Sequence, residues 1–327
     1  MRLITTSIAA LGCLLIGTVV AENHSEEATP ESLHVLETRQ MHESPSHHHS
    51  GKATRGRHAN KHHAAMAKAY HAKKSENHDS EHAPAVQEEK RGIICKTGLG
   101  WTDNDVNQTP FQKGSCWCYN WSPWKCSSVL ESVPMLWSMK QIGDWNSQVK
   151  GKHFKHILAI NEPEQKGQSN MSPAAAVAIW HEHVMTMSAD QIGSPGVTTS
   201  PDGFTWITSF LNQCKGCRVD FVSLHYYGIT SQDFIKQITK FYNAVKKPIW
   251  VTEWACQNYS GQKGGHQCTD AEVVEFLRET KSWMDNTPWI QRYAYYGAFQ
   301  DINIQASNRL MSPNGGITSL GKLYLGQ

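Results

Sequence analysis

His156-Ile157-Leu158-Ala159-Ile160-Asn161-Glu162-Pro163-Glu164 is an apolar run that stops abruptly at polar residues. Its length suits a buried strand, and Pro163 forces the chain out of that strand. A second stretch repeats the design: Pro248-Ile249-Trp250-Val251-Thr252 stops at Glu253-Trp254-Ala255-Cys256. Outward from these two, eight strand-like runs follow one another after Gly92: Ile93–Leu99, Ser115–Trp121, Val133–Trp137, His156–Asn161, Gln191–Thr198, Asp220–Tyr226, Pro248–Glu253 and Arg292–Phe299. Helix-like segments lie between them. Pro173 to Met187 has Ser172 as its N-cap and Pro173 in its first turn. Ser231–Val245 and Thr269–Asn286 also suit helices, the latter capped by Thr269 or Asp270. Alternating strands and helices imply a mainly parallel sheet, and eight such units over residues 92–327 match the size of a (β/α)8 TIM-type barrel. An open doubly wound sheet is the alternative. It would carry a Gly-rich phosphate turn after its first strand. Gly98-Leu99-Gly100-Trp101 instead runs into Thr102-Asp103-Asn104 with no third glycine in register, so no dinucleotide site is expected.

The barrel occupies only part of the chain. All 12 Trp lie after position 100, whereas 12 of the 18 His fall between His24 and His82. Residues 1–21 read as a secretory signal peptide: Arg2, then the apolar run Ile8–Val20, then the small Ala21. The run is shorter than the roughly 20 apolar residues that a membrane anchor needs. Residues 22–91 contain no Trp, Phe or Cys and carry ten basic against 11 acidic residues. Such a segment cannot bury enough apolar area to offset the entropy of ordering, so a disordered His-rich leader or pro-segment is expected. Its His47-His48-His49 and His62-His63 clusters have weak metal-binding character, and a plain solvated spacer is the simpler reading. It ends in Glu88-Glu89-Lys90-Arg91, a dibasic processing site in form. Eight cysteines remain once Cys13 leaves with the signal, and an even number in a secreted chain favours disulfides. Cys214–Cys217 and Cys256–Cys268 are the local pairs. A zinc site would need a second CxxC-like cluster beside Cys214-Lys215-Gly216-Cys217. Sequons stand at Asn23, Asn107, Asn120, Asn170 and Asn258. A formal charge of +2 gives no reason to expect a nucleic-acid partner.

In a barrel, chemistry sits just past the C-terminal ends of the strands. The fourth strand ends in Glu162 and the seventh in Glu253, so both carboxylates project into one mouth. That is the equipment of glycoside hydrolysis: one carboxyl group donates a proton to the leaving oxygen, and the other attacks the anomeric carbon or activates a water. Asn161 is placed to hydrogen-bond a sugar hydroxyl. Glu164, beyond the proline, is expected on the rim. The sixth strand ends in His225-Tyr226-Tyr227-Gly228 between the two Glu strands, which gives His225 and Tyr227 a substrate or supporting role. A Ser-His-Asp triad lacks its Gly-x-Ser-x-Gly elbow, and His181-Glu182-His183 lacks metalloprotease spacing. Trp101, Trp121, Trp137 and Trp254 fall at strand ends and are expected to offer flat faces to pyranose rings, although core packing is an equally ordinary use of a Trp.

Six motifs in order carry a family resemblance. They are Val133-Pro134-Met135-Leu136-Trp137, Asn161-Glu162-Pro163-Glu164, Gln168-Ser169-Asn170-Met171-Ser172-Pro173, Gly193-Ser194-Pro195, Asp220 to Gly228 and Pro248 to Trp254. Together they resemble glycoside hydrolase family 128, the fungal and bacterial β-1,3-glucanases that include the alkali-sensitive linkage proteins of fungal walls. The resemblance covers about residues 92–325. It implies a (β/α)8 barrel and retaining hydrolysis of β-1,3-glucan, with Glu162 as acid/base and Glu253 as nucleophile. Retention implies carboxyl groups about 5–5.5 Å apart. The expected protein is a monomeric, secreted, wall-directed endo-β-1,3-glucanase needing no metal or cofactor and no membrane. The alternative is a non-catalytic or weakly active glucan-binding wall protein, and the same residues also permit transglycosylation.

Overall fold

The computed structural model describes residues 95–327 apart from Asn104. The signal, leader and dibasic site, and the sequon at Asn23, lie outside those residues. The strands are β1 (Thr97–Gly100), β2 (Trp117–Tyr119), β3 (Glu131–Ser132), β4 (Met135–Leu136), β5 (His153–Asn161), β6 (Ser188–Thr198), β7 (Val222–Gly228), β8 (Ile249–Cys256) and β9 (Ile290–Tyr295). All the strand pairs are parallel, in the order β3-β2-β1-β9-β8-β7-β6-β5-β4. β3 and β4 are one barrel strand interrupted at Val133-Pro134. β3 pairs β2 and β4 pairs β5, so this strand joins the two ends of the sheet and closes a (β/α)8 barrel. Hydrogen bonds cross the break on both sides, from Val133 N–H to Cys118 O at 2.9 Å and from Leu158 N–H to Pro134 O at 3.0 Å.

The helices are α1 (Thr109–Gln112), α2 (Ile142–Gln148), α3 (Pro173–Ile179), α4 (Pro201–Gln213), α5 (Ser231–Val245), α6 (Asp270–Asp285) and α7 (Ser319–Leu325). Their starts follow the caps in the sequence. Ser172 accepts from Ala175 N–H, Thr230 from Asp233 N–H, and Thr269 forms a reciprocal capping box with Glu272. Each such cap contributes about 1 kcal/mol. The expected helix Pro173–Met187 is shorter: α3 ends at Ile179, and a wider π turn over Trp180–Val184 leads into β6. That π turn puts both Trp180 and Val184 into the core.

Two cores result. Inside the barrel lie Trp117, Tyr119, Val133, Met135, Leu158, Phe221, Trp250 and Ala294. Between sheet and helices lies a larger cluster that includes Leu99, Trp101, Val251, Trp254, Phe210, Phe234 and Phe276. Gly98 and Gly100 face inward on β1 because nothing larger fits. A Cβ on Gly98 would come within 2.1 Å of the Trp117 ring, and one on Gly100 within 2.6 Å of Trp121. Four disulfides join Cys95–Cys116, Cys118–Cys126, Cys214–Cys217 and Cys256–Cys268, so the two local pairs read from spacing are present.

Candidate active site

β5 leaves the barrel through strained backbone. Ile160 has φ +54° and Glu162 φ +40°, both in the left-handed region that β-branched and bulky residues avoid. The pairing of β5 with β6 shifts register on both sides of Ala159. The turn is fixed by backbone bonds from Glu162 N–H to Gly196 O at 2.7 Å and from Ser169 N–H to Asn161 O at 3.2 Å. The result buries both Asn161 and Glu162 at the barrel mouth, 3% and 5% exposed.

β8 reaches the same place by a bulge. Leu224 pairs with Val251 but His225 pairs with Glu253, so Thr252 is an extra residue. Trp250 faces the barrel interior, and without the bulge Glu253 would face the helices. With it, Glu253 turns inward.

The two carboxylates meet across His225. His225 Nδ1 lies 2.8 Å from Glu162 Oε1 and 3.6 Å from Glu253 Oε2, and all three side chains are buried. An oxygen of each Glu and the imidazole nitrogen lie within 4.8 Å of one another. Glu253 accepts two more bonds, from Trp121 Nε1–H to Oε1 and from the Tyr227 hydroxyl to Oε2, each 2.6 Å long. Burial pushes the Glu162 carboxyl above its ordinary range, against the hydrogen bond and charge of His225, and the neighbouring Glu253 charge adds to the rise. Burial alone would lower His225, but the charge of Glu253 and the bond and charge of Glu162 outweigh it and raise His225 to about 9. Two carboxylates and an imidazole also have the spacing of a metal site. The 2.8 Å bond between His225 Nδ1 and Glu162 Oε1 also makes the set a hydrogen-bonded cluster. His181, Cys214 and Cys217 form the other group with such spacing among the described residues, and two of those three are joined in a disulfide.

The other expected residues divide. Asn161 donates from Nδ2 to Gln168 Oε1 at 3.2 Å, while its Oδ1 is buried without a protein partner. Trp121 is lodged over Gly100 against Tyr119, Tyr296 and Phe299, on the Glu253 side of the mouth. Trp137 is half-buried above the inner core, and its carbonyl accepts the Asn161 N–H. Trp101 and Trp254 are not in the mouth. Trp101 packs edge-on against Phe111, 1% exposed, because it shares the outward face of Leu99, opposite the inward Gly98 and Gly100. Trp254 is fully buried among Tyr295, Tyr293 and Tyr324 and donates to Thr280 on α6, because the bulge at Thr252 gives the inward position to Glu253. Glu164 is not a free rim residue either. It accepts from Thr198 N–H at 2.7 Å and ties the end of β6 to the turn after β5. Residues not singled out also line the mouth. Tyr259 stands edge-on to Tyr227 at 5.4 Å with 57% of its surface exposed, and Phe299 backs Trp121. Tyr259 lies in the Cys256–Cys268 loop, and only that loop's closure by a disulfide was a sequence signal for it.

Residues 98–324 match the family described as glycosyl hydrolase catalytic core. Alkali-sensitive linkage protein 1 of Schizosaccharomyces pombe is 27% identical over 250 residues, 72% of this chain and 44% of that protein. The chain thus spans less than half the length of this curated relative. A family 128, subgroup III, curdlan-specific exo-β-1,3-glucanase from Blastomyces gilchristii, solved with glucose, has a TM-score of 0.60 and 29% identity. The match covers 72% of this chain and 99% of that one. A family 128, subgroup II, endo-β-1,3-glucanase from Sorangium cellulosum has a TM-score of 0.60 and 26% identity, covering 71% and 98%. With a catalytic-core match over most of its length and these structural neighbours, the chain belongs to the glycosyl hydrolase catalytic core family, within glycoside hydrolase family 128.

Proposed function

We propose that this chain is a secreted β-1,3-glucanase that cleaves wall glucan with retention, using Glu253 as nucleophile and Glu162 as acid/base. The observation that carries this reading is the approach of the two carboxylates, with oxygens within 4.8 Å of each other. That spacing suits direct attack, whereas inverting enzymes keep about 6.5–9.5 Å for a water. Trp121 and Tyr227 aim the Glu253 carboxylate from both of its oxygens. Glu253 attacks the anomeric carbon, and the bond to the leaving oxygen breaks as Glu162 gives that oxygen its proton. The negative charge of Glu253 is spent in the glycosyl ester, so Glu162, now a base beside one charge fewer, takes a proton from the incoming water as the water oxygen bonds to the anomeric carbon, the ester bond breaks and Glu253 leaves as a carboxylate. The unpartnered Oδ1 of Asn161 is available to accept a sugar hydroxyl. Trp121, Trp137 and Tyr259 supply ring faces. The four disulfides support passage through an oxidising compartment.

The test is proton NMR of the first products from laminarin. The β-anomer should appear first, and an initial α-anomer would overturn retention. Glu253→Ala should abolish release while keeping the far-UV spectrum. A ladder of oligosaccharides marks internal cleavage, the expected mode, and a single small product marks cleavage from an end. The curated relative's name, a linkage protein, favours a second reading as a wall-glucan binder with little turnover. Retention on insoluble glucan with no product from the wild-type chain would establish that reading instead.

A further inference from the structure

Four sequons fall within the described residues, and the fold treats them in two ways. Asn107 and Asn170 are exposed, whereas Asn120 and Asn258 are buried, 8% and 7% exposed. Asn107 follows β1, and its Oδ1 accepts the Thr109 N–H at 3.0 Å, a bond that uses the oxygen and not the nitrogen. Asn170 stands at φ +42° in the loop after β5, between Ser169 and Met171, whose N–H groups bond to Asn161 O and Pro163 O. Those bonds tie the loop back to the end of β5 and leave Asn170 exposed. The buried pair are built into the structure instead. Asn258 donates from Nδ2 to His266 O at 2.9 Å, and its own N–H donates to Gln267 Oε1 at 2.8 Å, inside the loop closed by Cys256–Cys268. In both buried sequons the sequon serine folds back on its own asparagine: Ser122 donates to Asn120 at 2.9 Å and Ser260 to Asn258 at 3.2 Å.

We propose that the secreted protein carries N-linked glycans on Asn107 and Asn170 and none on Asn120 or Asn258. This goes beyond the glucanase reading and rests only on its secretory part. The donor is a polyprenyl-pyrophosphate oligosaccharide. The asparagine Nδ2 bonds to the anomeric carbon, the bond from that carbon to the pyrophosphate oxygen breaks, polyprenyl pyrophosphate leaves with the electron pair, and Nδ2 loses one proton. Transfer meets the chain before folding is complete, so the fold selects what survives. A glycan on Asn258 stands where His266 O must dock and holds the disulfide loop open. One on Asn120 forces apart the residues beside Trp121. Glycans on Asn107 and Asn170 project into solvent, and both follow strand ends on the catalytic side of the barrel.

The experiment uses the full chain behind a host secretion signal in yeast, so that entry into the pathway does not depend on residues 1–21. Protein recovered from the medium is treated with peptide-N-glycosidase in 18O-water, and peptides are read by mass spectrometry. Complete conversion to 18O-labelled Asp at Asn107 and Asn170, with none at Asn120 and Asn258, supports the proposal. Label at either buried asparagine, or its absence from either exposed one, overturns it. The same assay on the chain with its own N-terminus reports separately on the secretory reading.

Discussion

Glu253 is held by two neutral donors, and their loss can be measured one at a time. Trp121 and Tyr227 each make a 2.6 Å bond to it. Leaving a buried acceptor without its donor costs about 1–3 kcal/mol, so Tyr227→Phe should lower kcat roughly 10- to 100-fold with little change in KM. Trp121→Phe should lower kcat similarly and also raise KM, because its ring is also proposed to stack on sugar. Equal effects of the two variants on KM would count against a sugar-facing role for Trp121. His225 gives a stability signature. Its folded pKa of about 9 exceeds the ordinary 6.5, so the stabilisation is fully present below pH 6.5 and is lost as pH rises through about 9. Thermal melts of wild type against His225→Gln should therefore show their largest gap near pH 6 and a much smaller one at pH 9.5. A gap independent of pH would mean that the ring matters only by its shape.

At the scale of elements, strand ends were readable but strand faces were not always. Glu162 and Glu253 could be found because an apolar run that stops at a carboxylate needs no knowledge of facing. Trp117 and Tyr119 could be grouped because they alternate along β2, while Trp121 lies past its end at φ +54°. Trp254 could not, because counting by twos from the inward Trp250 puts it inside, and a single extra residue reverses every position after it. No local propensity marks Thr252 as that residue. Trp101 was in principle readable: two inward glycines on β1 fix its outward parity. The loop after β8 carries its own prediction. Cys256–Cys268 closes a short loop that presents Tyr259 to Tyr227. Replacing both cysteines by serine should destabilise the protein by about 3 kcal/mol in denaturant melts. It should also raise KM for long oligosaccharides more than it changes kcat, because Tyr259 loses its fixed place while the carboxylates keep theirs.

At the scale of the molecule, eight alternations of strand and helix declared a barrel, but how the barrel shuts was hidden. The third strand is broken at Pro134, and its two halves have different partners, with backbone bonds on both sides of the break. Side chains below the mouth add to them. Glu131 on β3 accepts from His156 on β5 at 2.6 Å and from Arg292 on β9 at 2.7 Å, and the guanidinium lies 4.7 Å from the Trp250 ring centre. This network joins three strands that come from distant parts of the sequence, and so no local reading finds it. Burial would raise the Glu131 pKa, but the bonds and charges of His156 and Arg292 prevail and hold it at about 2. A carboxylate with a depressed folded pKa stabilises above its ordinary value of 4.5, and that contribution is lost as pH falls through about 2. Allowing for partial solvent screening, it is worth about 2 kcal/mol. Glu131→Gln should therefore cost about that much in urea melts at pH 7, and the difference from wild type should fade as pH approaches 2. A cost that stays constant down to pH 2 would mean that the barrel is closed by the shape of the Glu131 side chain rather than by its charge.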